Sequence, residues 1–123
     1  MKVITAAIIM LALAASSAPL SAHHSWPVNT DKLVTVKGTI TKVEWGNPHP
    51  MFTLEVRDNG KVETWQIGGP AVTRMQGNGW TKDTLKPGDV VTGTGYQFSD
   101  GQKIIRLESV VMSDGKEMRV YRR

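Results

Sequence analysis

The chain has 123 residues, with 15 Lys or Arg against 11 Asp or Glu for a net charge of +4, and no cysteine. That length suffices for one small domain and is too short for two hydrophobic cores. Without cysteine there is no disulfide, lipid-attachment cysteine or thiolate metal site, so the fold rests on its apolar core and any metal is held by nitrogen, oxygen or Met sulfur.

Residues 1–22 read as a secretory signal peptide. Lys2 gives a positive start, Val3 to Ala15 is almost wholly apolar yet too short to span a membrane, and small residues follow. A cut after Ala18 leaves Pro19 against the break, whereas a cut after Ala22 places Leu20 and Ala22 at the recognised positions and is favoured. This predicts a periplasmic or secreted mature chain of 101 residues that begins His23-His24-Ser25-Trp26 and has no transmembrane segment. A polar N-terminal arm covers 23–32, and a single domain covers 33–123.

Period-two patterning opens that domain. Val34, Val36, Gly38 and Ile40 share one face and Thr35, Lys37, Thr39 and Thr41 the other, and the apolar set then shifts to Val43 and Trp45. The parity switch predicts a long strand with a bulge near residues 41 and 42. Phe52, Leu54 and Val56 make a second strand, the Asp58-Asn59-Gly60 turn reverses the chain, and Val62 to Ile67 returns as the third. Pro70 to Met75 reads as a short helix ended by Gly77 or Gly79, and Thr81 to Leu85 as a second helical turn. Lys86 to Asp89 is a turn, Val90 to Phe98 a strand, Ser99 to Gly101 a hairpin tip, and Lys103 to Met112 a further strand ended by Ser113 to Gly115. The order β-β-β-α-β-β with a long bent first strand predicts an all-β fold with a short helix: a small OB-fold-like Greek-key barrel of five to six strands, with a plain β-sandwich as the other solution.

Two of the three histidines stand together at the expected mature N-terminus, and the third lies in Trp45-Gly46-Asn47-Pro48-His49-Pro50. The prolines hold Asn47 and His49 to extended geometry, so His49 sits on a stiff loop between strands one and two, beside the usual binding face of an OB-fold. An arm folding back would let His23 offer its α-amino and ring nitrogens as a chelate with His49 as the third donor, a histidine brace, and His24 as an alternative donor. Nitrogen ligands in a planar or T-shaped set suit Cu(II), so copper is the expected metal and zinc the second choice. The ligands must shed protons to bind, which an α-amine near ~8 and an imidazole near ~6.5 do at accessible pH. Met51 would add a soft donor for Cu(I), although its place on an alternating strand is equally that of a surface residue. The competing reading of the histidines is a solvated arm, with His49 hydrogen-bonded inside its own loop.

Trp45 and Trp65 keep step with the apolar residues of their strands and are expected in the core, whereas Trp26 and Trp80 are freer. Export removes nucleic acid as a partner, and the basic tail of Lys116, Arg119, Arg122 and Arg123 reads as a solvated terminus. Gly68-Gly69-Pro70 and Gly77-Asn78-Gly79 lack the strand-to-helix context of a phosphate loop. Ser25 beside His24 is too close in sequence for a dyad, and Glu44, Glu55 and Glu63 read as solvent-facing strand residues, so no hydrolytic site emerges.

The segments Ala22 to Trp26 (AHHSW), Val34 to His49 (VTVKGTITKVEWGNPH), Gly79 to Asp89 (GWTKDTLKPGD) and Ser113 to Lys116 (SDGK) resemble a family of small exported bacterial proteins catalogued as a domain of unknown function. The resemblance implies export and one domain across essentially the whole mature chain, brings no activity with it, and rests most on His23, His24, Ser25, Trp45, Asn47, Pro48 and His49. The chain departs from it at Pro50, where an apolar or aromatic strand residue is expected. The expected function is carriage or buffering of a divalent metal ion through His23, His49 and His24. The alternative is a metal-free envelope module binding a protein or small ligand on the face around Trp26, Trp80 and residues 46–50, with a small copper-dependent oxidase as a third option.

Overall fold

Alternation of apolar and polar residues fails to close a core unless the sheet curls, and here it curls into a ring. The computed structural model describes residues 26–121; the expected signal peptide, His23, His24, Arg122 and Arg123 lie outside them. The elements are β1 (Val28–Glu44), β2 (Met51–Asp58), β3 (Lys61–Gly68), α1 (Val72–Gly77), β4 (Val90–Phe98), β5 (Ile104–Met112) and β6 (Glu117–Arg119). Neighbouring strands run antiparallel in the order β3-β2-β1-β4-β5-β6, and a parallel pairing of Gln66, Ile67 and Gly68 with Ile104, Ile105 and Arg106 joins β3 to β5. Five strands thus form a ring with β6 as an added edge, in agreement with the small all-β fold expected.

The long first strand makes the ring possible because it serves two partners. Its first part pairs with β4 and its second with β2, and Thr39 pairs with both Val90 and Glu55. The bulge lies where the parity switch predicts it: Ile40 pairs with Leu54 and Lys42 with Thr53, which leaves Thr41 as the extra residue. Asn59 and Gly60 both take positive φ in the β2–β3 turn, as a two-residue hairpin of this type demands.

β1 begins at Val28, inside the polar stretch that the pattern alone leaves as an arm. Ser99 explains the difference. Its backbone N–H and its hydroxyl each donate to the Pro27 carbonyl at 2.8 Å, and the Val28 N–H donates to the Trp26 carbonyl at 2.8 Å, so the chain is tied to the β4–β5 hairpin before the alternation starts. The segment 81–85 is a single turn and not a helix: the Thr84 N–H donates to the Thr81 carbonyl at 3.1 Å, the Thr81 N–H donates to the Thr84 hydroxyl at 2.8 Å, and no helix is formed there.

The inward faces supply Val36, Ile40, Phe52, Leu54, Ile67, Val91, Ile105, Leu107 and Val110, while Met75 of α1 together with Trp80, Leu85 and Val120 fills the rest of the core. α1 ends with Gly79 in the left-handed region, its N–H donating to Gln76, and the Trp80 N–H reaching back to Met75. That reversal turns Trp80 inward. The expectation of a free Trp80 is therefore corrected: it is 1 % exposed, and its indole N–H donates to the Arg119 carbonyl at 2.8 Å. Trp45 and Trp65 are half-buried and pack against the core from its margin.

Trp65 serves an ion pair as well. Its indole N–H donates to Glu63 at 3.1 Å and Lys103 Nζ lies 3.4 Å from the same carboxylate, and these two bonds hold the Glu63 carboxyl below its usual range. A carboxylate with a lowered folded-state pKa stabilises the fold above its unfolded pKa and loses that contribution as pH falls through the folded value. Glu63→Gln is accordingly expected to lower the thermal midpoint slightly at neutral pH, with the gap to wild type closing as a melting series is carried into acid.

Two strand glycines are required by close approach. A Cβ on Gly38 would stand 2.6 Å from the Glu55 carbonyl oxygen, and one on Gly95 would collide with the Arg106 carbonyl, whereas one on Gly46 meets nothing within 4 Å among the described residues. Gly38→Ala and Gly95→Ala are each expected to cost about 1–3 kcal/mol in urea unfolding, the usual cost of overpacking, and Gly46→Ala to leave stability nearly unchanged.

Candidate functional site

His49 belongs to the loop that joins β1 to β2, where the Asn47–Pro48 peptide is cis. Pro50, the departure noted in the sequence, is buried and its carbonyl accepts the Gly69 N–H at 3.1 Å, pinning the loop to the end of β3. From Pro50 onward burial alternates: Pro50, Phe52 and Leu54 face the core, and His49, Met51 and Thr53 lie on the opposite, half-buried side. His49 and Met51 therefore share a face.

Trp26 covers that face. Its ring lies against the His49 imidazole with centroids 4.6 Å apart and planes inclined at 43°, and it meets the Phe98 ring edge-on at 5.6 Å. Gly68, paired with Met51 across the β2–β3 ladder, makes the arrangement possible: a Cβ there would collide with Cη2 of Trp26 and Sδ of Met51. Thioether and indole thus both lie over the Gly68 α-carbon, a favourable sulfur–aromatic arrangement.

Nδ1 of His49 is shut off from solvent and has no hydrogen-bond partner among the described residues. The reading of His49 as a residue satisfied by hydrogen bonds within its loop does not hold for this nitrogen. A buried nitrogen without a partner is uncommon in folded proteins and calls for a local explanation such as an ion or water. Nε of Arg106 is the other such atom among the described residues, but its guanidinium is engaged, lying 5.2 Å from the Tyr96 ring centroid and 3.5 Å from Glu108.

Among the described residues no three His, Asp or Glu side chains group into a metal site, and no helix is long and apolar enough to cross a membrane. His23 and His24 lie outside the described residues. Of the residues singled out for a binding face, Trp26 and His49 meet, and Trp80 is buried away from them. Gly68 and Phe98 are the members that pattern reading misses. The glycine pair at 68 and 69 was the available signal, since a glycine within a strand often marks a close approach.

A family model matches residues 10–105, a span that takes in all three histidines, Trp26 and Met51. The chain belongs to this family, a family of unknown function (DUF6152). Comparison with curated proteins returns no match. DUF6152 membership agrees with the expectation of an uncharacterised family and transfers no activity, so the chemistry must be argued from the His49 face.

Gly68→Ala tests the packing of that face. The colliding atom of Trp26 belongs to a rigid ring and cannot turn aside as Met51 can, so the substitution is expected to lift Trp26 from His49. Loss of near-ultraviolet circular dichroism, reproduced by Trp26→Ala, and a red-shifted tryptophan emission, absent from Trp26→Ala, are the expected readouts.

Proposed function

We propose that this DUF6152 protein is an exported carrier or buffer of a divalent metal, copper first and zinc second, held by the His23 α-amine and ring, by His49, and by His24 as an alternative donor. The observation that carries the reading is the Trp26–His49 contact, centroids 4.6 Å apart, on an imidazole whose buried Nδ1 has no partner among the described residues. His24 and His23 precede Trp26 by two and three residues. At about 3.3–3.6 Å of chain per residue, either is within reach of a ring that Trp26 already touches.

Chemistry supports the assignment on three counts. An α-amine and an imidazole on one residue chelate, a third nitrogen on a stiff loop completes a planar set, and such a set favours Cu(II). A proline-held loop is ordered before the metal arrives, which lowers the entropy lost on binding. Protonation of amine and imidazoles competes with the metal, so affinity falls as pH is lowered. Metal-free capture of an envelope protein or small ligand is the competing account, and burial of Trp80 removes half of its aromatic surface.

The test is a copper titration of protein whose N-terminus has been verified by intact mass, followed by Cu(II) electron paramagnetic resonance. One equivalent is expected to bind with an axial, nitrogen-rich spectrum. His49→Ala is expected to remove one nitrogen, and one extra residue before His23 to weaken binding sharply by abolishing the amine chelate. Weak binding indifferent to both changes would transfer the assignment to the metal-free module.

A further inference from the structure

We infer that the same face holds a second, softer site: His49 Nδ1, the Met51 thioether and the Trp26 ring together take Cu(I). The inference rests on the copper reading above for its metal, and not on the amine chelate. Three observations meet here. Nδ1 of His49 is buried and lacks a hydrogen-bond partner among the described residues. Met51, at the start of β2, lies on the same outward side as His49 in the loop before it, and its sulfur lies with the Trp26 ring edge over Gly68. Trp26 also lies against the His49 ring, so one indole touches both donor-bearing residues.

The donor types decide the ion. A water molecule bound at this nitrogen would find, among these three side chains, only thioether and aromatic carbon besides, too few polar groups to hold it. A hard cation such as magnesium or calcium needs oxygen ligands, and none of the three side chains has any. Thioether sulfur selects Cu(I), an imidazole serves either copper state, and an indole face attracts a cation that has lost its water. A monovalent soft ion with few ligands fits a nitrogen, a sulfur and a ring. The two copper states would then draw on different partners of the same histidine, the amine for Cu(II) and the thioether for Cu(I).

The geometry also gives Trp26 a role beyond packing. Trp80 and Trp65 bond their indole N–H, to the Arg119 carbonyl and to Glu63. Trp26 instead lies half-buried on the two residues that carry donors. An indole in that place both covers the ion and reports it, because a heavy ion on its face quenches its fluorescence.

The experiment is an anaerobic Cu(I) titration against a chromophoric chelator, with tryptophan emission followed in parallel and Ag(I) as a redox-inert probe. Wild type is expected to take one Cu(I) and one Ag(I) with quenching that Trp26→Phe abolishes. Met51→Leu, a volume-conserving change, is expected to weaken Cu(I) by at least about tenfold, the loss seen when even a supporting group around a metal is removed. Met112→Leu, a half-buried methionine on β5, serves as the control and is expected to bind as wild type. An extra residue before His23 is expected to leave Cu(I) binding intact while abolishing the Cu(II) spectrum, which separates this site from the amine chelate. Far-ultraviolet circular dichroism confirms that each variant folds. Cu(I) affinity indifferent to Met51→Leu, or lost only on extending the N-terminus, would overturn the inference whatever the Cu(II) result.

Discussion

Three parallel residue pairs close the ring. Gln66, Ile67 and Gly68 of β3 meet Ile104, Ile105 and Arg106 of β5, and without that seam the sheet would have one apolar face and nothing to cover it. With it, the inward residues of five strands enclose a shared core, in which Ile67 and Ile105, paired across the seam, are both fully buried. Closure also removes the exposed edges that an open sheet of this size would present along the seam. Because the chain has no cysteine, nothing covalent substitutes for this packing.

The seam decides where a side chain can be added outside the ring. Gly68 is paired on one side with Met51 and on the other with Arg106, so it lies where three strands run side by side and has no side chain of its own. The surface there is low enough to take the edge of an indole. Trp26 fills that depression, and the carbonyl of the next residue, Pro27, is held by two bonds from Ser99. The entry of the chain, the β4–β5 hairpin and the loop before β2 are thereby joined at one place. A site assembled from distant parts of the sequence is a consequence of how the ring closes.

Much of this architecture was legible in the sequence, and the reasons for the exceptions are physical. Strand parity, the bulge at Thr41 and the Asn59-Gly60 turn follow from local rules that do not depend on the rest of the chain. Trp80 defeated pattern reading because it lies on no periodic element: only the left-handed Gly79 and the Arg119 carbonyl, 39 positions away, turn it inward. The early start of β1 was hidden for a similar reason, since Ser99 holds Pro27 across 72 positions. Within the candidate site, His49 and Met51 could be named from residue type and spacing. Their cover by Trp26 could not, because it depends on a glycine whose role appears only once β3 has a partner on each side.

Pro50 links the fold to the chemistry. Its burial, with its carbonyl bonded to Gly69, settles the parity of everything around it. Side chains alternate along an extended chain, so sinking Pro50 into the core sends His49 and Met51 outward together. A shift of one residue would send both inward, exposing Phe52 and burying an imidazole in the core. The cost of that exchange is hydrophobic area on one side and an unpaired polar ring on the other, which makes the observed register strongly preferred. The proline that departs from the expected pattern thus presents the imidazole and the thioether on one surface, where the entering indole can reach both.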